Sequence, residues 1–168
     1  MSNLRLALHG DVHCYELVAP LIALARDPTL GFAAAHAPRA AGEIARGARI
    51  LHFAPGRWLL TAAALEREAD RIERLHRAGA VVIDGRAKWS CIELSGQDAR
   101  PVLSGLLPVA QVLGDRGCAA ATLLGCPGVL AAGAGGLEFW VGRSWAPWLH
   151  DTLAAWLSRR APRGAIGA

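Results

Sequence analysis

The chain has 168 residues, 53% of them hydrophobic and 19% charged, with a formal net charge of +4. That length suits one domain with a core of its own, and the composition is too apolar for disorder, yet no uninterrupted apolar run reaches the span of a membrane. Four cysteines (Cys14, Cys91, Cys118, Cys126) are too few and too far apart for a secreted disulfide framework. They read as reduced, mostly buried thiols. Met1 to Asp11 carries no pattern of a secretory signal, which makes the cytoplasm the expected location. The basic residues are almost all Arg, Lys88 being the only lysine, and they are scattered apart from Arg159, Arg160 and Arg163. A nucleic-acid footprint needs a dense patch, so neither nucleic acid nor membrane is an expected partner.

Along the chain, Leu4 to Leu8 reads as a strand closed by Gly10-Asp11. Asp11 then suits the cap of a helix from Val12 to Arg26, whose apolar residues Tyr15, Val18, Ile22 and Ala25 recur at spacings of three and four. The Ala-rich stretch from Gly31 to Gly47 has no period and reads as a loop. Arg49 to Phe53 and Arg57 to Thr61, joined by Ala54-Pro55-Gly56, form a predicted hairpin. A helix from Ala62 to Ala78 ends at Gly79, with its charged residues on a solvated face.

Ala80 to Ile83 reads as a buried strand and Trp89 to Leu94 as a half-buried one, with Asp84-Gly85 a hairpin signal between them. Ser95 to Asp98 caps a short helix reaching Ser104. Three strands follow, Gly117 to Leu124, Val129 to Ala132 and Leu137 to Val141, separated by Cys126-Pro127-Gly128 and by Gly133 to Gly136. Ser144 caps a last helix running to Arg159 and Arg160. The expected fold is α+β, antiparallel sheets with helices packed on one face. Residues 1–160 form one domain, with two closely packed β/α lobes joining near Gly79 to Gly85, and 161–168 form a flexible tail.

Chemistry-bearing patterns are sparse. His9, His13 and Cys14 could gather a metal only if the two histidines shared a helix face, and Gly10-Asp11 breaks that register. Cys118 with His52 or His150 is an unselected nucleophile pair, better read as a buried small hydrophobe. The Gly133 to Gly136 turn lacks a phosphate-loop lysine, and no dinucleotide fingerprint occurs. No catalytic, cofactor-binding or metal residue is therefore assigned. The unusual feature is six tryptophans, four of them (Trp140, Trp145, Trp148, Trp156) in the last strand and helix. One helix stripe cannot turn Trp145, Trp148 and Trp156 all inward, and Trp together with Arg is typical of protein interfaces.

Five segments taken in order resemble the gamma subunit of heterotetrameric sarcosine oxidase. They are Phe53-Ala54-Pro55-Gly56-Arg57-Trp58-Leu59-Leu60, Ala80 to Asp84, Ile92 to Gly96, Cys118 to Thr122, and Gly142-Arg143-Ser144-Trp145-Ala146-Pro147-Trp148-Leu149. The wider group includes the folate-binding domain of aminomethyltransferases. The resemblance implies a noncatalytic subunit of a complex that demethylates a secondary amine. Its flavins, NAD, folate and zinc would belong to alpha, beta and delta partner subunits, and none of these cofactors to this chain. Two departures stand out: Arg57 replaces a usual acid, and Gly85-Arg86-Ala87-Lys88-Trp89 replaces a segment usually bearing Ser and then Arg. Arg57, Trp89, Arg143, Trp145 and Trp148 are the candidate partner-facing residues. Two other readings remain. One is the corresponding subunit of N-methylglutamate dehydrogenase or a related amine oxidoreductase. The other is a self-sufficient folate-binding, aminomethyltransferase-like protein using Asp84.

Overall fold

The computed structural model describes residues 4–19, 42–44, 48–61, 69–114, 117–133 and 135–160. Among these the chain runs through β1 (Arg5–His9), β2 (Cys14–Val18), β3 (Gly42–Ile44), β4 (Ala48–Ala54), β5 (Arg57–Thr61), α1 (Ala69–Arg77), β6 (Val81–Asp84) and β7 (Trp89–Ser95). It continues through α2 (Ala99–Leu103), α3 (Val109–Leu113), β8 (Cys118–Leu123), β9 (Cys126–Ala132), β10 (Gly136–Gly142) and α4 (Ala146–Arg160). The strands form two five-stranded sheets, ordered β1-β7-β10-β9-β8 and β3-β4-β5-β2-β6. Every pairing is antiparallel.

Because side chains alternate along a strand, each sheet offers two faces, and here both are covered. In the first sheet Ile92, Leu94, Leu130, Leu137, Phe139 and Val141 point toward the helices, where Leu103, Val109, Leu113, Leu149 and Leu153 meet them. The alternate residues Trp89, Cys91, Cys118, Val129, Ala131 and Trp140 point the other way and pack on Cys14, Leu51 and Leu59 of the second sheet. The far face of the second sheet, carrying Leu17, Ile50, Trp58 and Leu60, is closed by Leu75 of α1. The order of layers is helix, sheet, sheet, helices.

The hairpin β4–β5, the meander β8–β9–β10 and the last helix stand where sequence patterning placed them. The helix ending at Gly79 is described from Ala69, and Gly79 takes the left-handed φ of +89° that suits glycine at a helix end. Other expectations are corrected. Cys14–Val18 is a strand, not the first turns of a helix capped by Asp11, because Glu16 faces the inter-sheet side with Cys14 while Tyr15 and Leu17 face α1. The remainder of that predicted helix, residues 20–26, lies outside the described residues, as does the predicted tail 161–168. Gly42–Ile44, inside the predicted loop, pairs with β4 as an edge strand.

Asp84-Gly85 is no hairpin turn, since β6 and β7 belong to different sheets and the turn carries the chain between them. β6 is an edge strand with Val81 and Ile83 exposed, whereas β7 is covered on both faces instead of one. Cys126-Pro127-Gly128 lies within β9, and the turn before it is Leu124-Gly125, both at positive φ (50° and 84°) as a tight two-residue hairpin requires. Pro108 immediately precedes α3, a helix that the sequence patterning did not place. Ser144 stands one residue short of the last helix's cap, because the Leu149 amide bonds the Trp145 carbonyl and the helix begins at Ala146. Asp98 occupies the cap position of α2 but its side chain makes no capping bond.

Leu51 is fully buried at the centre of the inter-sheet seam. Leu51→Ala is expected to lower the unfolding free energy in urea by about 2–5 kcal/mol, and Val81→Ala on the exposed edge by less than about 0.5 kcal/mol.

Candidate functional site

The seam between the sheets is apolar at its middle and polar at both ends, because the strands lining it run past the contact in both directions. On β4, β5, β7 and β10 the inward-facing residues at one end are Arg49, Thr61, Glu93 and Glu138, and at the other end Phe53, Arg57, Trp89 and Gly142. The first set borders a cleft of about 350 Å³ with His9, Asp11, His13, Cys91 and Trp140. The second borders a groove of about 640 Å³ with Lys88, Arg143 and Trp145.

In the cleft the charges are spent on one another. Arg49 donates to Glu138 at 2.5 Å and to the Ala132 carbonyl, while the Trp140 indole donates to the second Glu138 oxygen at 3.0 Å. His9 lies 3.2 Å from Glu93 at an exposed position. Cys91 is buried beside them, and burial first, then the nearby Glu138 and Glu93 charges, push its thiol far above the ordinary range. Such a thiol is a core group and a poor nucleophile. His13 sits in the loop before β2, so His9 and His13 share no helix face; among the described residues no group of three His, Cys, Asp or Glu is arranged to hold a metal. Cys118 hydrogen-bonds the His52 carbonyl at 3.4 Å, and the His52 ring stacks on Trp58 at 4.1 Å.

The groove is built around a carboxylate that sequence reading passed over. Glu16 is only 1% exposed, and Arg57 and Lys88 both donate to it, one to each oxygen. Burial pushes the Glu16 pKa up, but the hydrogen bonds and charges of Lys88 and Arg57 together outweigh that and hold it below the usual carboxylate value. The two departures noted in the sequence, Arg57 and the segment containing Lys88, therefore meet at one buried acid. The period-two pattern Cys14, Glu16, Val18 carried the signal, and the helical reading concealed it.

The cations also lie against rings, Arg57 over Phe53 at 5.6 Å and Lys88 over Trp89 at 5.3 Å. Arg143 is anchored by backbone: its amide bonds the Lys88 carbonyl at 2.8 Å and its guanidinium the Arg86 carbonyl at 2.8 Å. Trp145 and Trp148 are each 51% exposed and meet edge to face at 6.5 Å, whereas Trp58, Trp89 and Trp140 are buried. Of the residues singled out from sequence, Arg57, Trp89, Arg143 and Trp145 line this one groove, and Trp148 adjoins it through Trp145. Asp84, the acid considered for a pterin, lies at the exposed end of β6 and is gripped by Arg86, which holds its carboxyl below the usual range.

No family model and no curated protein matches the chain. Among solved structures it is similar to a chain of heterotetrameric sarcosine oxidase from Corynebacterium sp. U-96, determined in complex with pyrrole 2-carboxylate. The two share one fold. The TM-score is 0.64 at 22% identity, and the match covers 90% of this chain and 84% of the other. It extends across both sheets, so the layered arrangement around the seam, rather than an isolated hairpin or helix, carries the likeness.

Two outcomes follow from the site. A carboxylate with a depressed folded-state pKa stabilises the protein above its unfolded pKa, and that stabilisation is lost as pH falls through the folded value. Urea unfolding from pH 7 down to pH 3 is therefore expected to show Glu16→Gln less stable than wild type by about 1–3 kcal/mol at pH 7, with the gap closing at the acid end. All four cysteines are buried and none forms a disulfide, and burial and the neighbouring acids Asp84 and Glu16 push Cys14 up to about 12. A chromogenic thiol reagent at pH 7 is expected to label none of them rapidly in the folded protein and all four after denaturation.

Proposed function

We propose that this chain is a noncatalytic structural subunit, equivalent to the gamma subunit, of a multi-subunit flavin-dependent complex of the sarcosine oxidase type. Its role is to support larger subunits that oxidatively demethylate a secondary amine such as sarcosine. Alpha, beta and delta partners carry the flavins, NAD, folate and zinc, and the assembly is cytoplasmic. The alternative reading, the corresponding subunit of an N-methylglutamate dehydrogenase or a related amine oxidoreductase, keeps the same role with a different amine.

The observation that carries this reading is a fold shared over nearly the whole chain with part of a heterotetrameric oxidase, combined with a surface that leaves two tryptophans half-exposed beside a basic groove. Exposed Trp and Arg of this kind are the anchors of protein interfaces. The arrangement of the described polar groups agrees: Glu138 and Glu16 are engaged in ion pairs, and Cys14, Cys91 and Cys126 are held as thiols. No described helix is long and apolar enough to cross a membrane. The folate reading gains nothing from Asp84, whose oxygens are occupied by Arg86.

Co-expression with the genes that flank its own tests the assignment. The chain is expected to co-elute with a flavoprotein and to be colourless and inactive toward sarcosine alone. A solitary chain that retains flavin or oxidises an amine, or one that stays monomeric beside the flavoprotein, refutes it.

A further inference from the structure

We propose that the groove and the sheet face beside it dock an acidic, extended segment of a partner protein, with carboxylates on the groove cations and apolar side chains on the exposed strip of β2 and β6. The inference rests on the subunit reading and adds the chemistry of the partner.

Three cations line the groove, Arg57, Lys88 and Arg143, and none of its described lining residues is acidic. Buried Glu16 offsets one of these charges, leaving two to face outward. Asp11, fully exposed at 3.5 Å from Arg143, screens the rim and fills none of the groove. The guanidinium of Arg143 is held by a backbone carbonyl, which orients it without neutralising it. Trp89 lines the groove with 8% of its surface exposed.

The sheet explains why the occupant is a chain rather than a small anion. Val18 is paired in register with Arg57 on one side and with Val81 on the other, and Glu16 with Ile83. Register pairs place their side chains on one face, so Arg57, Val18, Val81 and Ile83 continue the inter-sheet face of the second sheet beyond the first sheet's cover. Val18 is 39% exposed, Val81 56% and Ile83 44%. An apolar strip on an edge strand whose only charge is Asp84 at its end, paired with Arg86, invites aggregation unless something covers it, and a small ligand in the groove would not reach it. Spacing the charges on one side and the apolar residues on the other suits a segment that alternates acidic and apolar residues. A phosphate track would instead need a dense run of unpaired cations, and two of these three are tied to Glu16.

The test uses the full chain, nitrogen-15 labelled, with indole N–H resonances as reporters and the acetylated, amidated peptide Glu-Leu-Glu-Leu-Glu as probe. The peptide is expected to shift the Trp89 and Trp145 signals while leaving buried Trp58 in place. Arg143→Glu and Val81→Glu are each expected to weaken binding about tenfold, and rising salt to weaken it. An unchanged Trp58 signal certifies that each variant is folded. Equal binding of the Gln-Leu-Gln-Leu-Gln peptide, equal binding of free glutamate, tighter binding of a thymidine oligonucleotide, or no shift at millimolar peptide each overturns the proposal. If the flavoprotein complex assembles unchanged with Arg143→Glu and Val81→Glu, the inference falls while the subunit reading stands. If wild type joins no flavoprotein yet binds the acidic peptide as described, the subunit reading falls and the docking surface stands.

Discussion

The seam between the two sheets is the contact on which the rest of the molecule depends. Leu51, Leu59, Cys91, Val129 and Trp140 close it from both sides, and each sheet uses its opposite face to hold helices. Antiparallel sheets can face water on one side, but these carry apolar residues on both, so neither would be stable alone. Because the strands are longer than the apolar contact, the same alternation that fills the seam delivers polar side chains to its two ends. One end pairs its charges internally through Arg49 and Glu138, and the other keeps a surplus of cations beside exposed aromatic rings.

Glu16 governs the second end. A carboxylate removed from water is unfavourable unless both oxygens find donors, and Arg57 and Lys88 provide them from two different sheets' neighbourhoods. Arg57 begins β5 in the second sheet and Lys88 immediately precedes β7 in the first, so the ion cluster also pins the crossing at Gly85. That crossing is tight: a side chain at Gly85 would approach the Cys14 sulfur to 2.7 Å and the Trp89 ring to 3.1 Å. The groove's shape and its charge thus arise from one constraint.

Elements whose signal is local were legible from sequence. The Pro-Gly turn joined β4 to β5, the glycine turn joined β9 to β10, and Gly79 ended α1. The alternation in Trp89 to Leu94 also gave the right faces for β7, with Trp89 and Cys91 on the seam and Ile92 and Leu94 under the helices. Cys14–Val18 was misread because Tyr15, Val18 and Ile22 satisfy a helical spacing, while the alternative spacing puts a glutamate in the interior and looks prohibitive without its partners. Those partners stand 41 and 72 residues away. The candidate residues Arg57, Trp89, Arg143 and Trp145 were named from composition and resemblance, and that they line one groove emerges only from the tertiary structure.

By itself the sequence determined an α+β chain with antiparallel hairpins, buried thiols and more tryptophan than its last helix could hide, since these depend on alternation, turn chemistry and side-chain size. Tertiary structure decided which strands share a sheet, that β1 and β7 join the meander while β2 and β6 join the other sheet, and hence which charges meet. Strand pairing across long separations is set by burial of whole faces and by register, and no short window of sequence encodes either.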